Sequence, residues 1–482
     1  MGLHDQKNAG VPQFVSHFSP FFARRFRPII LGIVLGASAC THYTPRPVAL
    51  SAIAAQKDRL TLDLGRVASA CRKLAPKAEC NPARLDRAML YAAMLETNPA
   101  IAAARDHVAS ALTAARNARQ APGPKLTLST EYAGAAPDPS PWLLGASGEI
   151  PLDIGGPRAV RIGSAELAVI TARYELTETV WSARMTMVRG LAQILVAERQ
   201  IAASNDLVAL QGRRFTAMEH RVNAGEASRA ELERVRADLA DARHRHADAE
   251  ARRQAGIIEL ANTISVPPES LAERAFAWDA IESPDEVARI GEDERRMALL
   301  ARADLLKAMI DYDQAELDLR GEVARQYPAI TVGPGFTWER GLVKIPFNFG
   351  LSLPPFDLNR KAIATATTRR SEAAAKLEAA YAAAAGAVDG AVADANAARR
   401  SLDDLRRLDL PIADRLAAQA DRELAAGSLD RADWGAARAG RLTTRLQELD
   451  ALTRALTAGM ALEDALRRPL SGPELMIEKD VR

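Results

Sequence analysis

The stretch "ITVGPGFTWERGLVKIPFNFGLSLP", Ile330 to Pro354, reads as a β-hairpin. Successive side chains of a strand point to opposite faces. Ile330, Val332, Phe336 and Trp338 therefore share one face, with Thr331, Gly333, Gly335 and Thr337 on the other. On the return strand Ile345, Phe347, Phe349, Leu351 and Leu353 oppose Asn348, Gly350 and Ser352. The rest of the 482-residue chain is rich in Ala, Arg, Glu and Leu in helix-forming patterns. The fold turns on why a chain of long helices carries a hairpin with one large apolar face.

The hairpin has a partner upstream. In "APGPKLTLSTEY", Leu126, Leu128, Thr130 and Tyr132 alternate with Lys125, Thr127, Ser129 and Glu131, and a second strand is predicted over 144–152. An offset of 204 residues sets Pro124 on Pro328 and Asp153 on Asp357. An offset of 202 sets "NAGEASRAELERV" on "AAGSLDRADWGAA", superposing Gly225 on Gly427, Arg229 on Arg431 and Glu231 on Asp433. The chain is an internal duplication, each half running helix, strand, strand, very long helix, Gly turn, long helix.

The long helix of the first half is predicted from about Pro157 to Val222, and at 1.5 Å per residue it reaches roughly 95 Å. Val180, Met187, Ile194, Ile201 and Val208 recur every seven residues, with Ala183, Gly190, Ala197 and Ser204 between them. That period keeps one seam against a neighbour, and its small residues let backbones approach. The expected fold class is mainly α with β: duplicated antiparallel coiled-coil helices plus two β-hairpins. A soluble rod, such as a periplasmic coiled-coil adaptor or scaffold lipoprotein, accounts for the helices but not for the hairpins.

Strands of about ten residues, apolar on one face and polar on the other, fit a transmembrane β-barrel. Four strands cannot enclose a lumen, and open edges cannot face lipid, where each unpaired backbone group costs several kcal/mol. Closure then requires other subunits, and three copies supply twelve strands. A sandwich edge or dimerisation flap is the alternative reading of the same alternation.

Arg24, Arg25 and Arg27 precede the apolar run Ile29 to Leu35, which leads through small residues to Cys40. This is a secretory leader, too short for a permanent span. Cys40 also sits where the lipobox of bacterial lipoproteins places its acylated residue, although Ala37 stands where those usually have Leu; an ordinary cleavage site is the other reading. Cys71 and Cys80 form an even pair in an oxidising compartment, a candidate disulfide. His244 and His246 are spaced i, i+2 on a helix and make a poor metal pair. A net charge of only +2 gives no sign of a nucleic-acid partner. No phosphate loop or nucleophile motif is present, so neither an enzymatic activity nor a cofactor is expected.

The duplicated order, the N-P-x-I after a short helix, the P-x-L-x-L strand, "IPLDIGGPR" and "AGEAS" resemble the TolC-type outer membrane efflux factors over about residues 85 to 466. "VGPGFTWERG" with "LSLPPFDLNRK" is most similar to the branch serving heavy-metal exporters of the resistance-nodulation-division type. The resemblance implies a homotrimer with a trimeric α-helical tunnel and a 12-stranded β-barrel in the outer membrane. It also implies a periplasmic adaptor and an inner-membrane pump as partners, with metal cations or drugs as cargo. The organisation expected is 1–39 signal peptide, 40–84 N-terminal periplasmic segment, 85–263 first repeat, 264–297 equatorial connector, 298–466 second repeat and 467–482 flexible tail.

The resemblance also points to the tips. Gly225, Glu226, Ser228, Gly427 and Ser428 are the expected adaptor-docking residues. Family members carry acidic residues six and nine positions after the second turn glycine; here the first is Asp433 and the second is Ala436. Threefold symmetry would turn Asp433 into a ring of charge at a constriction. Glu231 is its first-half counterpart, Asp430 precedes it by one turn, and Arg229 and Arg431 are candidates to pair with these acids. The competing reading is that the acids complement helix dipoles.

Overall fold

The computed structural model describes residues 43–76, 78–132, 134, 141–153, 156–278, 281, 291–339 and 341–472. The leader, Cys40, connector residues 282–290 and the tail from 473 lie outside the described residues. The chain divides into two units, Met1–Arg59 and Leu60–Arg482. In the first, the described part carries one helix, α1 (Leu50–Asp58), with Leu50 and Ile53 exposed.

The second unit opens with α2 (Leu64–Leu74), strand β1 (Arg84–Leu85) and α3 (Arg87–Thr97). Cys71 and Cys80 are disulfide-bonded with Cα atoms 5.8 Å apart. Both are buried in the main core beside Val67, Leu85 and Met89.

The first repeat is α4 (Pro99–Ala118), β2 (Lys125–Tyr132), β3 (Trp142–Leu152), α5 (Pro157–Asn223) and α6 (Arg229–Ile264). The connector holds α7 (Glu269–Ala272) and β4 (Ala275–Phe276), and β4 pairs in parallel with β1, a two-residue ladder with no sequence signal. The second repeat is α8 (Glu292–Leu300), α9 (Ala303–Ala324), β5 (Ala329–Glu339), β6 (Leu342–Lys344), β7 (Phe347–Ser352), α10 (Arg360–Asp404), α11 (Leu410–Ala425) and α12 (Arg431–Leu466).

These helices pack as a row. At one level the order is α6, α5, α12, then α10 and α11; at the other it is α4, α5, α9, α10. Two long helices run through both levels, and shorter ones meet end to end between them. The Asn98 side chain donates to the Thr263 carbonyl at 2.8 Å, joining the start of α4 to the end of α6. Arg302, 204 residues after Asn98, donates to the carbonyl of Ala465, 202 residues after Thr263, joining α9 to α12. The duplication is thus repeated in its hydrogen bonds.

Helix α5 has 67 residues, about 100 Å at the α-helical rise. Met187, Ile194, Gly190, Ala197 and Ser204 of its seven-residue seam are buried. The small positions act as expected: a Cβ on Gly256 of α6 would lie 2.9 Å from Ile194 Cγ1 and 3.1 Å from the Gly190 carbonyl, so the two backbones touch.

The matching long helix of the second repeat is broken. Residues Leu405–Asp409 form a π turn just before Pro411. Pro lacks an N–H and its ring crowds the carbonyl four residues back, so the ladder widens there. Val388, Ala395 and Leu402 are buried seven apart, and the same count leads to Asp409 and Leu416; the buried residue is Ala417 instead. The turn absorbs one residue, and Leu408, Ile412 and Leu416 emerge exposed at four-residue spacing.

The C-terminal segment expected to be flexible is docked through Ser471. Arg467 pairs with Glu178 at 3.3 Å, Leu470 N–H donates to Glu463, and Ser471 receives Arg87. Glu463 in turn pairs with buried Arg184 at 2.8 Å.

Candidate functional site

Two places carry the chemistry the sequence points to: the sheet and the helical tips. The strands form one antiparallel sheet in the order β2-β3-β5, with β6 and β7 both on the far side of β5. The two hairpins are thereby joined through β3 and β5. Partners directly opposite share a face, and the register places Leu128 on Ala146 and Phe336, Tyr132 on Trp142, and Leu144 on Trp338 and Val343. Ile150 meets Val332 and Phe349, and Leu152 meets Ile330 and Leu351. One face is therefore apolar across the whole sheet, and most of its large side chains are exposed in the single chain.

The other face is polar, and two ion pairs on it were not foreseen: Lys125 to Glu149 at 4.0 Å and Lys344 to Glu339 at 2.5 Å. It is also tightly built. A Cβ on Gly333 would lie 1.8 Å from the Gly148 carbonyl oxygen. Pro334, next in sequence, has no N–H for the ladder, and pairing between β3 and β5 skips the two residues there. Strands β2 on one side and β6 and β7 on the other are left as edges.

The tips are two copies of one turn. Gly225 and Gly427 adopt the left-handed conformation, with φ 78° and 72°. Glu226 N–H donates to the Arg221 carbonyl at 2.8 Å, and Ser428 N–H to Glu423 at 2.9 Å, closing the last turns of α5 and α11. Ser228 then caps α6 by accepting from Glu231 N–H at 3.2 Å, and Asp430 caps α12 by accepting from Asp433 N–H at 2.7 Å.

The two candidate gate acids part company here. Glu231 reaches back to Ser228 N–H at 2.9 Å, completing a capping box, and that backbone hydrogen bond holds its carboxyl below the usual glutamate range. Asp433 is one methylene shorter; its carboxylate is exposed, without a hydrogen bond or ion pair among the described residues, and lines the groove between α11 and α12 beside Leu416, Ala436 and Gly440. Arg229 and Arg431 are exposed and pair with none of these acids within the chain.

Other contacts fasten the tips. Asp421 accepts from Trp434 Nε1 at 2.7 Å and from Arg438 at 2.6 and 2.9 Å, and the Trp434 bond leads in holding its carboxyl low. Gly435 of α12 rests on the stem of Arg214 of α5, where a Cβ would meet Cδ at 2.9 Å. Toward the sheet, Glu178 has its carboxyl pushed up by burial, against the pull of Arg467. His246 meets Ser204 Oγ at 3.1 Å and is partly buried. Among the described residues no group of three or more His, Cys, Asp or Glu is placed to hold a metal ion, and no helix is long and apolar enough to cross a membrane.

The chain is 25% identical over 289 residues to the cobalt-zinc-cadmium resistance protein CzcC of Cupriavidus metallidurans, covering 59% of this chain and 66% of that one, just under two thirds. Its fold matches CusC with a TM-score of 0.65 at 15% identity, covering 79% of this chain and 91% of that chain. It matches the Campylobacter jejuni outer membrane channel CmeC with a TM-score of 0.64 at 12% identity, covering 99% and 98%. The outer membrane efflux protein family matches residues 90–264 and 295–466, the two repeats in turn. The chain belongs to the outer membrane efflux protein family.

Proposed function

We propose that the chain is one protomer of a trimeric channel that carries cargo from the periplasm across the outer membrane, as the exit duct of a tripartite exporter. The observation that carries this reading is the sheet: one face apolar from edge to edge, the other polar, and both edges unpaired among the described residues. Strand β3 has 11 residues, about 37 Å at 3.4 Å per residue, which a tilt near 40° reduces to about 29 Å, enough to cross the apolar band of outer-membrane barrels. Strands β6 and β7 pair consecutive stretches of the same side of β5 and count as one interrupted strand, so three copies of four strands close a barrel of twelve, and the helical rows continue it as a tunnel.

The tips at Gly225 and Gly427 then face the periplasmic adaptor, and Asp433 forms the ring that selects cations. Cys40 carries a lipid that supplements the barrel as anchor. The cargo class rests on the likeness to CzcC, whose name gives cobalt, zinc and cadmium resistance; metal cations are favoured over drugs on that ground. The purified protein in mild detergent is expected to have the light-scattering mass of three protomers and to conduct ions in planar bilayers. A stable monomer with its sheet intact would sink the proposal. Loss of the gene should sensitise cells to divalent metals, and a drug-only sensitivity profile would move the cargo. Fatty-acid labelling that persists in Cys40→Ser would remove the lipid anchor.

A further inference from the structure

After Ser352 the apolar alternation of β7 continues one step to Leu353, and Pro354 and Pro355 then end the strand. The next residue, Phe356, is 112% exposed, and Leu353 is 76% exposed. This exposure is built. Leu358 N–H donates to the Pro355 carbonyl at 2.9 Å and Arg360 N–H to the Asp357 carbonyl at 3.1 Å, so two tight turns follow each other. Leu358 and Asn359 both hold the left-handed conformation, φ 52° and 59°, which residues with a Cβ adopt only under constraint.

The constraint comes from the end of α9 and the turn that follows it. Gln326 donates to the Leu358 carbonyl at 3.0 Å, and Asn359 Nδ2 donates to Glu322 at its carbonyl, 2.9 Å, and its carboxylate, 2.8 Å. The duplication makes the departure plain. The offset of 204 sets Leu152 on Phe356 and Asp153 on Asp357, yet Leu152 lies in the ladder against Ile330 while Phe356 has left it. Arg360 and Lys361 follow, both exposed and without an ion-pair partner among the described residues.

We propose that this turn is an interfacial anchor for the periplasm-facing lipid leaflet. Phe356 and Leu353 enter the ends of the acyl chains, and Arg360 and Lys361 meet the phosphates of anionic phospholipid. The inference rests on the membrane reading of the sheet and adds its lower rim. Lipid suits the site better than a protein partner because Leu353 continues the alternation of the sheet's apolar face and the fully exposed Phe356 follows directly after it, neither of them lining a groove. An apolar residue followed by cations is also the order met on passing from chains to headgroups. At the opposite end of the same face, Tyr132 and Trp142 pack with ring centroids 4.9 Å apart, the aromatic composition expected of the other rim.

The test uses the full chain in nanodiscs of phosphatidylcholine, with or without phosphatidylglycerol. Phe356→Trp and, separately, Phe349→Trp are read as difference emission over the native tryptophans. Trp at 356 should emit to the blue, lose quenching by aqueous acrylamide, and be quenched most by lipids brominated near the headgroup. Trp at 349, mid-sheet, should be quenched most by lipids brominated deep in the chain. If 349 behaves so and 356 remains open to acrylamide, the anchor is refuted and the membrane sheet survives. If both remain open, the membrane sheet itself fails. Protection of 356 that requires an adaptor or the contact between protomers also overturns the proposal. Arg360→Gln with Lys361→Gln should abolish any gain in melting temperature on adding phosphatidylglycerol; an undiminished gain would refute the headgroup contact.

Discussion

Asn98 faces two helices at once: its Nδ2 donates to the Thr263 carbonyl at 2.8 Å, and its Oδ1 accepts from Ala100 N–H at 2.8 Å and Ile101 N–H at 3.1 Å. One side chain thus caps the start of α4 and occupies a carbonyl at the end of α6, where both helices have unsatisfied groups. Asn98→Ala should cost about 1–3 kcal/mol, a lost cap plus a lost, partly buried hydrogen bond. A melting scan in detergent at fixed rate would register it, and an unchanged transition would mean that packing alone holds the junction.

Gly333→Ala tests the polar face of the sheet. The added methyl points at the Gly148 backbone, which cannot rotate away, so the cost should exceed the roughly 1–3 kcal/mol of ordinary overpacking. Gly386, with nothing within 4 Å of a built Cβ, is the control, and Ala there should be neutral or slightly stabilising in its helix. Equal yields of folded protein from the two variants would contradict the close approach.

Glu178 gives a pH signature. Burial raises its folded carboxyl above the unfolded value, so the folded state holds the proton more tightly. The associated stabilisation is complete below the unfolded value and is lost as pH rises through the folded one. Glu178→Gln removes that dependence. The melting temperature of the variant relative to wild type should therefore climb between mildly acidic and neutral pH; a flat or falling difference would place the governing interaction at the Arg467 pair instead.

Asp433 and Glu231 should separate in planar bilayers. Asp433→Ala removes one unengaged carboxylate per protomer, so cation preference and block by multivalent cations should weaken. Glu231→Ala removes half of a capping box and should lower stability with little change in selectivity. Unaltered block in Asp433→Ala would leave Asp430, already engaged as an N-cap, as the remaining acid of that tip.

Local alternation and period made the elements legible. The strands followed from side chains such as Leu126, Leu128, Phe347 and Phe349, and α5 from a seam repeated over several turns. The caps Ser228 and Asp430 were written in the duplicated turn, but whether Glu231 or Asp433 stays available depends on one methylene and on tertiary geometry. Contacts between distant segments left no such trace. Neither the grip of Asn98 on Thr263 nor the two-residue pairing of β1 with β4 has a periodicity to read. The very long helix predicted for the second half runs through Pro411, and an Ala-rich seam in α10 conceals where the register slips.

That slip has a consequence for symmetry. The α6 margin of the protomer is largely charged residues and alanine, whereas the α11 margin bears Leu408, Ile412 and Leu416. Two unlike margins favour a heterologous contact, head to tail, over a self-complementary one, and such contacts either close a ring or run on as a filament. In the proposed trimer the ring closes because each leucine-bearing margin meets the next copy's α6. Pro411→Ala should let the helix run on without the extra residue, so that the seven-residue count from Leu402 falls on Leu416 and turns it inward. The protomer would then keep its helices while losing the margin that makes a ring of it.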